Sequence, residues 1–187
     1  MQAGVRAKAA LWAGLACAFS ATAEGRGHQG LTSVDTKGVE EALRPPPGRL
    51  LLVHLWASWC RPCVSEWPSL AEWLRHPRDR RLDVVTLAID EADTRPAAEA
   101  VLGRLGRLPG RVLAASLDDC YPALRALDPE WDGSLPTTIL VGADGHLLLA
   151  EHGLTRLDAL EKALGAAAKD PIRASDPKRS GSERGDP

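Results

Sequence analysis

The stretch LLLVHLWASWCRPC, residues 50–63, joins an apolar segment to two cysteines three positions apart. Residues 50–56 form a nearly continuous apolar run, as expected for a strand that is buried on both faces. From residue 60 to residue 76, apolar side chains recur at helical spacing. The pattern predicts a buried strand that leads directly into a helix beginning at Cys60.

A cysteine pair at this spacing can bind a metal, form an inert disulfide or cycle between dithiol and disulfide. At a helix N-terminus, the unpaired amides and the helix dipole favour a thiolate, which is the attacking species. Arg61 adds nearby positive charge, and Pro62 is tolerated because an N–H in the first turn has no helical partner. We expect Cys60 to attack a substrate disulfide and the more buried Cys63 to resolve the mixed disulfide.

The rest of the sequence alternates strands with helices, which predicts crossover connections and a largely parallel sheet. Further strands are expected at residues 82–89, 111–115 and 137–141, followed by a hairpin turn at 143–145 and a partner strand at 146–151. Helices are expected at residues 35–44, 94–105, 119–127 and 155–168. Because the final hairpin adds antiparallel strands, the predicted fold class is an α/β sandwich with a central mixed sheet flanked by helices.

The two ends of the 187-residue chain differ from its centre in composition. Basic residues near the start precede an apolar, charge-free run that ends in Ala21-Thr22-Ala23, which predicts a secretory signal peptide cleaved near Ala23. An uncleaved anchor and a lipoprotein acylated at Cys17 are the alternatives. We therefore expect a signal peptide at 1–23, a flexible leader at 24–31, one domain at 32–168 and a disordered tail at 169–187.

Charge and cysteine content narrow the function. A net charge of −2 provides no strongly basic field, so we expect no nucleic-acid partner. Export to the periplasm or beyond would place Cys60, Cys63 and Cys120 in an oxidising compartment, where disulfides persist. Three cysteines suit a working pair plus one extra, and we expect Cys120 to be a small buried apolar group in a monomeric protein.

The residues around the cysteine pair resemble a known family. The motif W-x-x-W-C-x-P-C after a buried strand resembles the thioredoxin fold, and LLVHLWASWCRPCVSEWPSL is most similar to exported TlpA/ResA-like thiol–disulfide oxidoreductases. Glu66 falls where that family carries an acidic residue under the active site. Leu135-Pro136-Thr137-Thr138 matches its cis-proline loop, and Asp144-Gly145 followed by Gly153 matches its terminal hairpin.

The resemblance implies roles for several residues. If the Leu135–Pro136 bond is cis, Pro136 lies against the cysteine pair and the backbone of Leu135 faces outward, where it could bind an extended substrate segment. If Glu66 is buried near Cys63, its pKa should be raised, and its carboxylate could exchange a proton with Cys63 during resolution.

One position departs from the family. Thioredoxin carries a buried Asp six residues before the first cysteine and the TlpA-like group commonly carries Asn, whereas this sequence has His54. His54 could shuttle a proton or tune the thiolates, or it could be a core histidine bonded to a backbone carbonyl. We expect Trp59 on an apolar rim around the exposed sulfur. Trp131 is expected to line the substrate groove, with a core position as its alternative.

The resemblance implies an exported thiol–disulfide oxidoreductase that reduces protein disulfides, with apocytochrome c as a candidate substrate and a membrane thiol–disulfide protein as electron donor. Its cofactor would be the redox-active Cys60–Cys63 disulfide itself, without a metal. The alternative is a thioredoxin-like copper or zinc chaperone that binds through Cys60, Cys63 and His54. A single C-x-x-C motif and a covering cis-proline count against the chaperone, and a thioredoxin-like peroxidase would need a separate peroxidatic cysteine.

Overall fold

The computed structural model describes residues 31–76 and 81–169. The strands of the described residues are β1 (Thr32–Ser33), β2 (Leu50–Trp56), β3 (Leu82–Ile89), β4 (Arg111–Ala115), β5 (Thr137–Val141) and β6 (Leu147–His152). The helices are α1 (Thr36–Ala42), α2 (Arg61–Arg75), α3 (Arg95–Leu105), α4 (Leu117–Leu127) and α5 (Leu157–Lys169). None of these helices is long and apolar enough to cross a membrane.

The strands form one mixed sheet in the order β1-β4-β3-β2-β5-β6. Neighbours from β1 to β2 are parallel, whereas β5 is antiparallel to both β2 and β6. The predicted mixed-sheet α/β architecture is therefore confirmed, with the bounds of β2, β3, β4 and β5 as expected. Strand β1 was not predicted, because two residues are too few to show a periodic pattern.

Helices cover both faces of the sheet. Leu50, Leu52 and Trp56 point to the face that packs against α2, α3 and α5. The alternate residues of β2, Leu51, Val53 and Leu55, point to the face covered by α1 and α4. Every residue of β2 is buried as a result, which explains its unbroken apolar sequence. Because side chains alternate along a strand, His54 faces α2.

Helix α2 begins where the sequence predicts it. Cys60 is the N-cap residue, and its Sγ accepts a hydrogen bond from the N–H of Cys63 at 3.3 Å. The helix continues through Pro68, and its Trp67 packs edge-on against Trp56 with ring centroids 4.8 Å apart. Both indoles are fully buried, so the strand and the helix that flank the cysteine pair are fixed to each other through the core.

The boundaries of the domain differ slightly from the expectation. Leu31, assigned to the leader, packs against the core, and Lys169, assigned to the tail, is the last residue of α5. The signal peptide, most of the leader and the remainder of the tail lie outside the described residues.

Candidate active site

Cys60 and Cys63 form a disulfide across the first turn of α2, with Cα atoms 5.3 Å apart. Cys60 retains 5% exposure, whereas Cys63 is fully buried. The expectation that Cys63 is the more buried cysteine is confirmed, and so is the position of Cys60 at a helix N-terminus. An external sulfur can therefore reach the pair only from the Cys60 side.

The turn before Cys60 is held by a buried carboxylate that the sequence reading missed. Asp90 directly follows β3 and is fully buried. Its carboxylate accepts hydrogen bonds from the Ser58 backbone N–H at 3.0 Å and from the Ser58 hydroxyl at 2.5 Å. An acidic residue at the end of a buried strand was the available signal, because such a group needs hydrogen-bond donors.

The Leu135–Pro136 peptide bond is cis, as predicted. Pro136 directly precedes β5, whose first residue, Thr137, pairs with Leu55 near the end of β2. The Leu135–Pro136 loop therefore lies at the end of the sheet where β2 leads into the turn before Cys60. The carbonyl of Pro136 accepts a hydrogen bond from the N–H of Gly153 at 2.8 Å. Within the described residues, none hydrogen-bonds to the backbone of Leu135.

Glu66 lies one helical turn after Cys63, on the same side of α2. Its side chain is 9% exposed, and its Oε2 accepts a hydrogen bond from the N–H of Thr155 at 2.8 Å. Burial raises the pKa of Glu66, and hydrogen bonds from Thr155 oppose part of that rise. The carboxyl group is therefore largely shielded from solvent, and its pKa is shifted in the predicted direction.

His54 is fully buried beside Glu66. Its Nδ1 lies 3.0 Å from the Thr138 hydroxyl, and its Nε2 lies 3.6 Å from Glu66 Oε1. Its partner is therefore a side-chain hydroxyl and not the backbone carbonyl expected for a core histidine. Burial lowers the pKa of His54 to about 4. Although the two side chains are close enough for an ion pair, burial favours the neutral form of each.

The remaining predicted residues divide between the surface and the core. Trp59 is 62% exposed beside Cys60, and Arg61 and Pro62 are exposed at the start of α2. The expectation that Trp131 lines the substrate groove is wrong, because its ring is fully buried on the α1/α4 side of the sheet. The Trp131 indole N–H donates to the carbonyl of Ser134 at 3.1 Å, which satisfies its polar atom inside the core.

Cys120 is the free cysteine of the described residues, and it is fully buried on α4. Burial, together with the charges of Asp119 and Glu91, raises the pKa of its thiol to about 12. Its predicted position in the core is confirmed. In residues 31–76 and 81–169, no three His, Cys, Asp or Glu side chains are grouped so that they could hold a metal ion.

No protein-family model matches the sequence. The thiol:disulfide interchange protein CycY of Rhizobium leguminosarum bv. viciae is 34% identical over 133 residues, which cover 63% of this chain and 62% of CycY. The thiol-disulfide oxidoreductase ResA of Bacillus subtilis (strain 168) is 25% identical over 114 residues, which cover 61% of this chain and 59% of ResA. The chain thus spans about three fifths of the length of these curated relatives.

A thioredoxin-related protein from Neisseria meningitidis serogroup B has a similar solved structure, with a TM-score of 0.54 and 21% sequence identity. The alignment covers 67% of this chain and 87% of that protein. The likeness establishes a thioredoxin-like fold for this chain. In sequence, the chain is similar to CycY and ResA, which agrees with the resemblance to TlpA/ResA-like proteins that its motifs predict.

Proposed function

We propose that the protein is an exported thiol–disulfide oxidoreductase that reduces protein disulfides by exchange at Cys60 and Cys63. The observation that carries the proposal is a disulfide closed across the first turn of α2 in which Cys60 keeps 5% exposure while Cys63 is fully buried. Relatives named thiol:disulfide interchange protein and thiol-disulfide oxidoreductase support it.

The reaction begins with the reduced protein. The Cys60 thiolate attacks one sulfur of a substrate disulfide, so that a mixed disulfide forms and the other substrate sulfur leaves as a thiolate and takes up a proton. Cys63 then loses its proton and attacks the Cys60 sulfur, which closes the Cys60–Cys63 bond and releases the second substrate sulfur. Two electrons pass from the protein dithiol to the substrate, which leaves as a dithiol.

The geometry around the sulfurs suits these two roles. The N–H of Cys63 points at Cys60 Sγ, so the thiolate of the reduced protein would receive a hydrogen bond at a helix N-terminus. Arg61 adds positive charge from an exposed position, where solvent screens most of its effect, and Pro62 fits the first turn without losing a hydrogen bond. Cys60 is therefore the nucleophile and Cys63 the resolving cysteine.

Glu66 is the proton acceptor for Cys63 in this mechanism. Glu66 lies one helical turn after Cys63, and side chains on a helix lean towards its N-terminus, so we expect its carboxyl group near the turn that contains Cys63. A carboxyl group whose pKa is raised by burial is a better base than an exposed one, and it can return the proton when the disulfide is reduced.

An extended peptide segment is the substrate form that fits the surroundings of Cys60. The backbone of Leu135, which no described residue binds, offers a donor and an acceptor for pairing in the manner of a β-strand. Trp59 is 62% exposed and Leu154 is 58% exposed, and Leu154 follows the glycine that bonds to the cis-proline loop. Apocytochrome c is a candidate substrate, and a membrane thiol–disulfide protein is the candidate electron donor. We propose that the protein acts as a monomer and without a bound cofactor or metal.

Trapping tests the exchange reaction. Cys63→Ser leaves the Cys60 nucleophile but removes the resolving thiol, so the variant should accumulate mixed disulfides with reduction-sensitive partners in an exported-protein extract. Cys60→Ser is the matched control, because Cys63 is fully buried and should trap little. Equal, background levels of adducts in both variants would overturn the proposal, and a stoichiometric metal retained by the reduced protein would support the chaperone instead.

The reduction potential tests the direction of exchange. Equilibration of the purified protein with glutathione should give a potential near that of thioredoxin, about −270 mV, if the protein is a reductant. A potential far above that value would make it an oxidant. N-terminal sequencing of the protein recovered from the exported fraction tests export, and we expect the mature chain to begin at Glu24.

A further inference from the structure

The side chains of His54, Thr138, Thr155 and Glu66 form a nearly closed polar ring that joins β2, β5 and α2. His54 and Thr138 are fully buried, and Glu66 and Thr155 are partly exposed. His54 Nδ1 lies 3.0 Å from Thr138 Oγ1, which lies 2.7 Å from Thr155 Oγ1. The backbone N–H of Thr155 donates a hydrogen bond to Glu66 at 2.8 Å. A hydrogen bond from the Thr155 hydroxyl also lowers the pKa of Glu66. The gap in the ring lies between Glu66 Oε1 and His54 Nε2, which are 3.6 Å apart. Neither of these two atoms has a hydrogen-bond partner among the described residues, and each is the polar atom that faces the other.

The ring can be satisfied in two ways, which differ by one proton. When Glu66 is ionised, His54 carries its proton on Nε2 and donates to the carboxylate, while Nδ1 accepts from the Thr138 hydroxyl. When Glu66 is protonated, its O–H donates to Nε2, and His54 carries its proton on Nδ1 and donates to Thr138. The Thr138 hydroxyl then turns to donate to Thr155. His54 is neutral in both arrangements.

We propose that His54 is a positioning residue that adapts the ring to either charge state of Glu66, so that Glu66 can take the proton of Cys63 without leaving a buried polar atom unpaired. The inference rests on the proposed function for its source of protons. During resolution, the Cys63 S–H bond breaks, the proton moves to Glu66, and the sulfur keeps the electron pair with which it attacks Cys60.

As Glu66 takes up this proton, His54 gives its Nε2 proton to Glu66, and Glu66 gives one to the Thr155 hydroxyl. Thr155 then passes its own hydroxyl proton to Thr138, and Thr138 passes its proton to His54 Nδ1, so that only Glu66 gains a proton overall. On reduction of the disulfide, the proton returns to Cys63 and the ring reverses.

Few other charges act on this ring. Glu151 lies opposite Thr138 in the β5–β6 register, and its carboxylate is held by Arg156 at 2.9 Å. Asp90, beyond the end of β3, is bound by Ser58. The titratable and charged groups that helix position and strand register place on the same side of the sheet as His54 are Cys63, Glu66, Asp90, Glu151 and its partner Arg156. Because Glu151 and Asp90 are already paired, Glu66 is the group whose proton changes the ring.

The tautomer of His54 shows which of the two hydrogen-bond arrangements the ring adopts. Nitrogen-15 NMR of the oxidised protein distinguishes a protonated from an unprotonated ring nitrogen, and His54→Asn identifies the signals by their loss. As the pH is lowered through the titration of Glu66, we expect the proton to move from Nε2 to Nδ1 while the ring stays neutral. A single tautomer throughout, or an imidazolium formed together with the protonation of Glu66, would overturn the proposal.

Two threonines supply a matched pair of variants. Thr138 and Thr86 are both fully buried cross-strand partners of His54, but the Thr86 hydroxyl has no hydrogen-bond partner among the described residues. Thr138→Val should fix His54 in the Nε2–H form, because a buried Nδ1–H would lack an acceptor. Thr86→Val makes the same chemical change at the same depth and should leave the tautomer change intact. If the tautomer still changes in Thr138→Val, the change does not depend on the hydrogen bonds of the ring, and the proposal is overturned.

Kinetics connects the ring to catalysis. Glu66→Gln should slow the resolution of a preformed mixed disulfide by at least about 100-fold, the low end for loss of a general base. The resolution rate of Thr138→Val should lie between those of Glu66→Gln and the wild type, whereas the rate of Thr86→Val should equal that of the wild type. Equal rates in the two valine variants would overturn the link between ring and resolution. The proposed exchange reaction is judged separately, because trapping by Cys63→Ser requires neither Glu66 nor His54.

Discussion

The carboxylate of Asp90 holds Ser58 by two hydrogen bonds, at 3.0 Å from the backbone N–H and at 2.5 Å from the hydroxyl. Asp90 follows the central strand β3, and Ser58 lies two residues before Cys60. The N–H of Cys60 in turn donates to the carbonyl of Ala57 at 3.1 Å. The end of a buried strand therefore fixes the turn that presents the reactive sulfur.

Ser58→Ala should destabilise the oxidised protein by about 1.5–3 kcal/mol, the usual contribution of a hydrogen bond to a charged group. The variant keeps the backbone hydrogen bond but leaves one oxygen of a buried carboxylate without its donor. Urea unfolding measures the difference. Ser69→Ala, at an exposed position on α2, is the control and should change stability by less than about 0.5 kcal/mol. Equal stability of the two variants would show that the Asp90 contact contributes little.

Trp59 and Trp131 should have opposite effects when they are changed. Trp59→Ala removes an exposed ring beside Cys60, so it should slow mixed-disulfide formation with an unfolded protein substrate and leave stability nearly unchanged. Trp131→Ala removes a fully buried ring and should cost about 3–5 kcal/mol. Trp131→Phe, which retains most of the volume, should form mixed disulfides at the wild-type rate. If Trp131→Phe formed mixed disulfides as slowly as Trp59→Ala, Trp131 would have to contact the substrate after all.

The elements that the sequence predicts well are those whose signals are local. Strand β3 is a run of eight residues with its charged neighbours Arg81 and Asp90 at the two ends, and its bounds are as predicted. Helix α4 begins at Leu117 and not at Asp119, because the Ser116 side chain caps it by accepting from the N–H of Asp119. A serine followed by an acidic residue three positions later is a capping signal that would have given the correct start.

Only those parts of the site that lie within a short sequence motif could be predicted from the sequence. The C-x-P-C motif predicts the cysteine pair, and the resemblance to a known family predicts the cis bond at Leu135–Pro136 and the acidic residue at Glu66. The contacts of Thr138 and Thr155 depend on strand register and on the loop before α5, which no single stretch of sequence encodes. The error at Trp131 has a similar cause, because only the packing of the sheet face that α1 and α4 cover decides whether its ring is buried.

Cys120 should be chemically silent in the folded protein. It is fully buried, and the pKa of its thiol is raised to about 12, so the reactive thiolate is scarce at neutral pH. After mild reduction, iodoacetamide should modify Cys60 quickly and Cys120 only after urea is added, as read by mass spectrometry of the peptides. Cys120→Ala is the control and should show the same labelling of Cys60. Rapid labelling of Cys120 in the native state would contradict its place in the core.

The stability of the protein should depend on pH through His54. Its pKa is about 4 in the folded protein and near 6.5 in the unfolded chain, so between these values the unfolded chain binds a proton that the folded protein does not. Stability is therefore lost as the pH falls from 6.5 to 4, by up to about 3 kcal/mol. Glu66 acts in the opposite sense, because a raised pKa makes the folded protein hold a proton that the unfolded chain releases.

The difference between the wild type and His54→Asn isolates the histidine, since both proteins contain Glu66. Urea unfolding at several pH values should give a difference in free energy that moves in favour of the variant as the pH falls from 6.5 to 4, because asparagine takes up no proton in the unfolded chain. A constant difference for His54→Asn across this range would mean that His54 is protonated in the folded protein, which would also remove the neutral histidine that the polar ring requires.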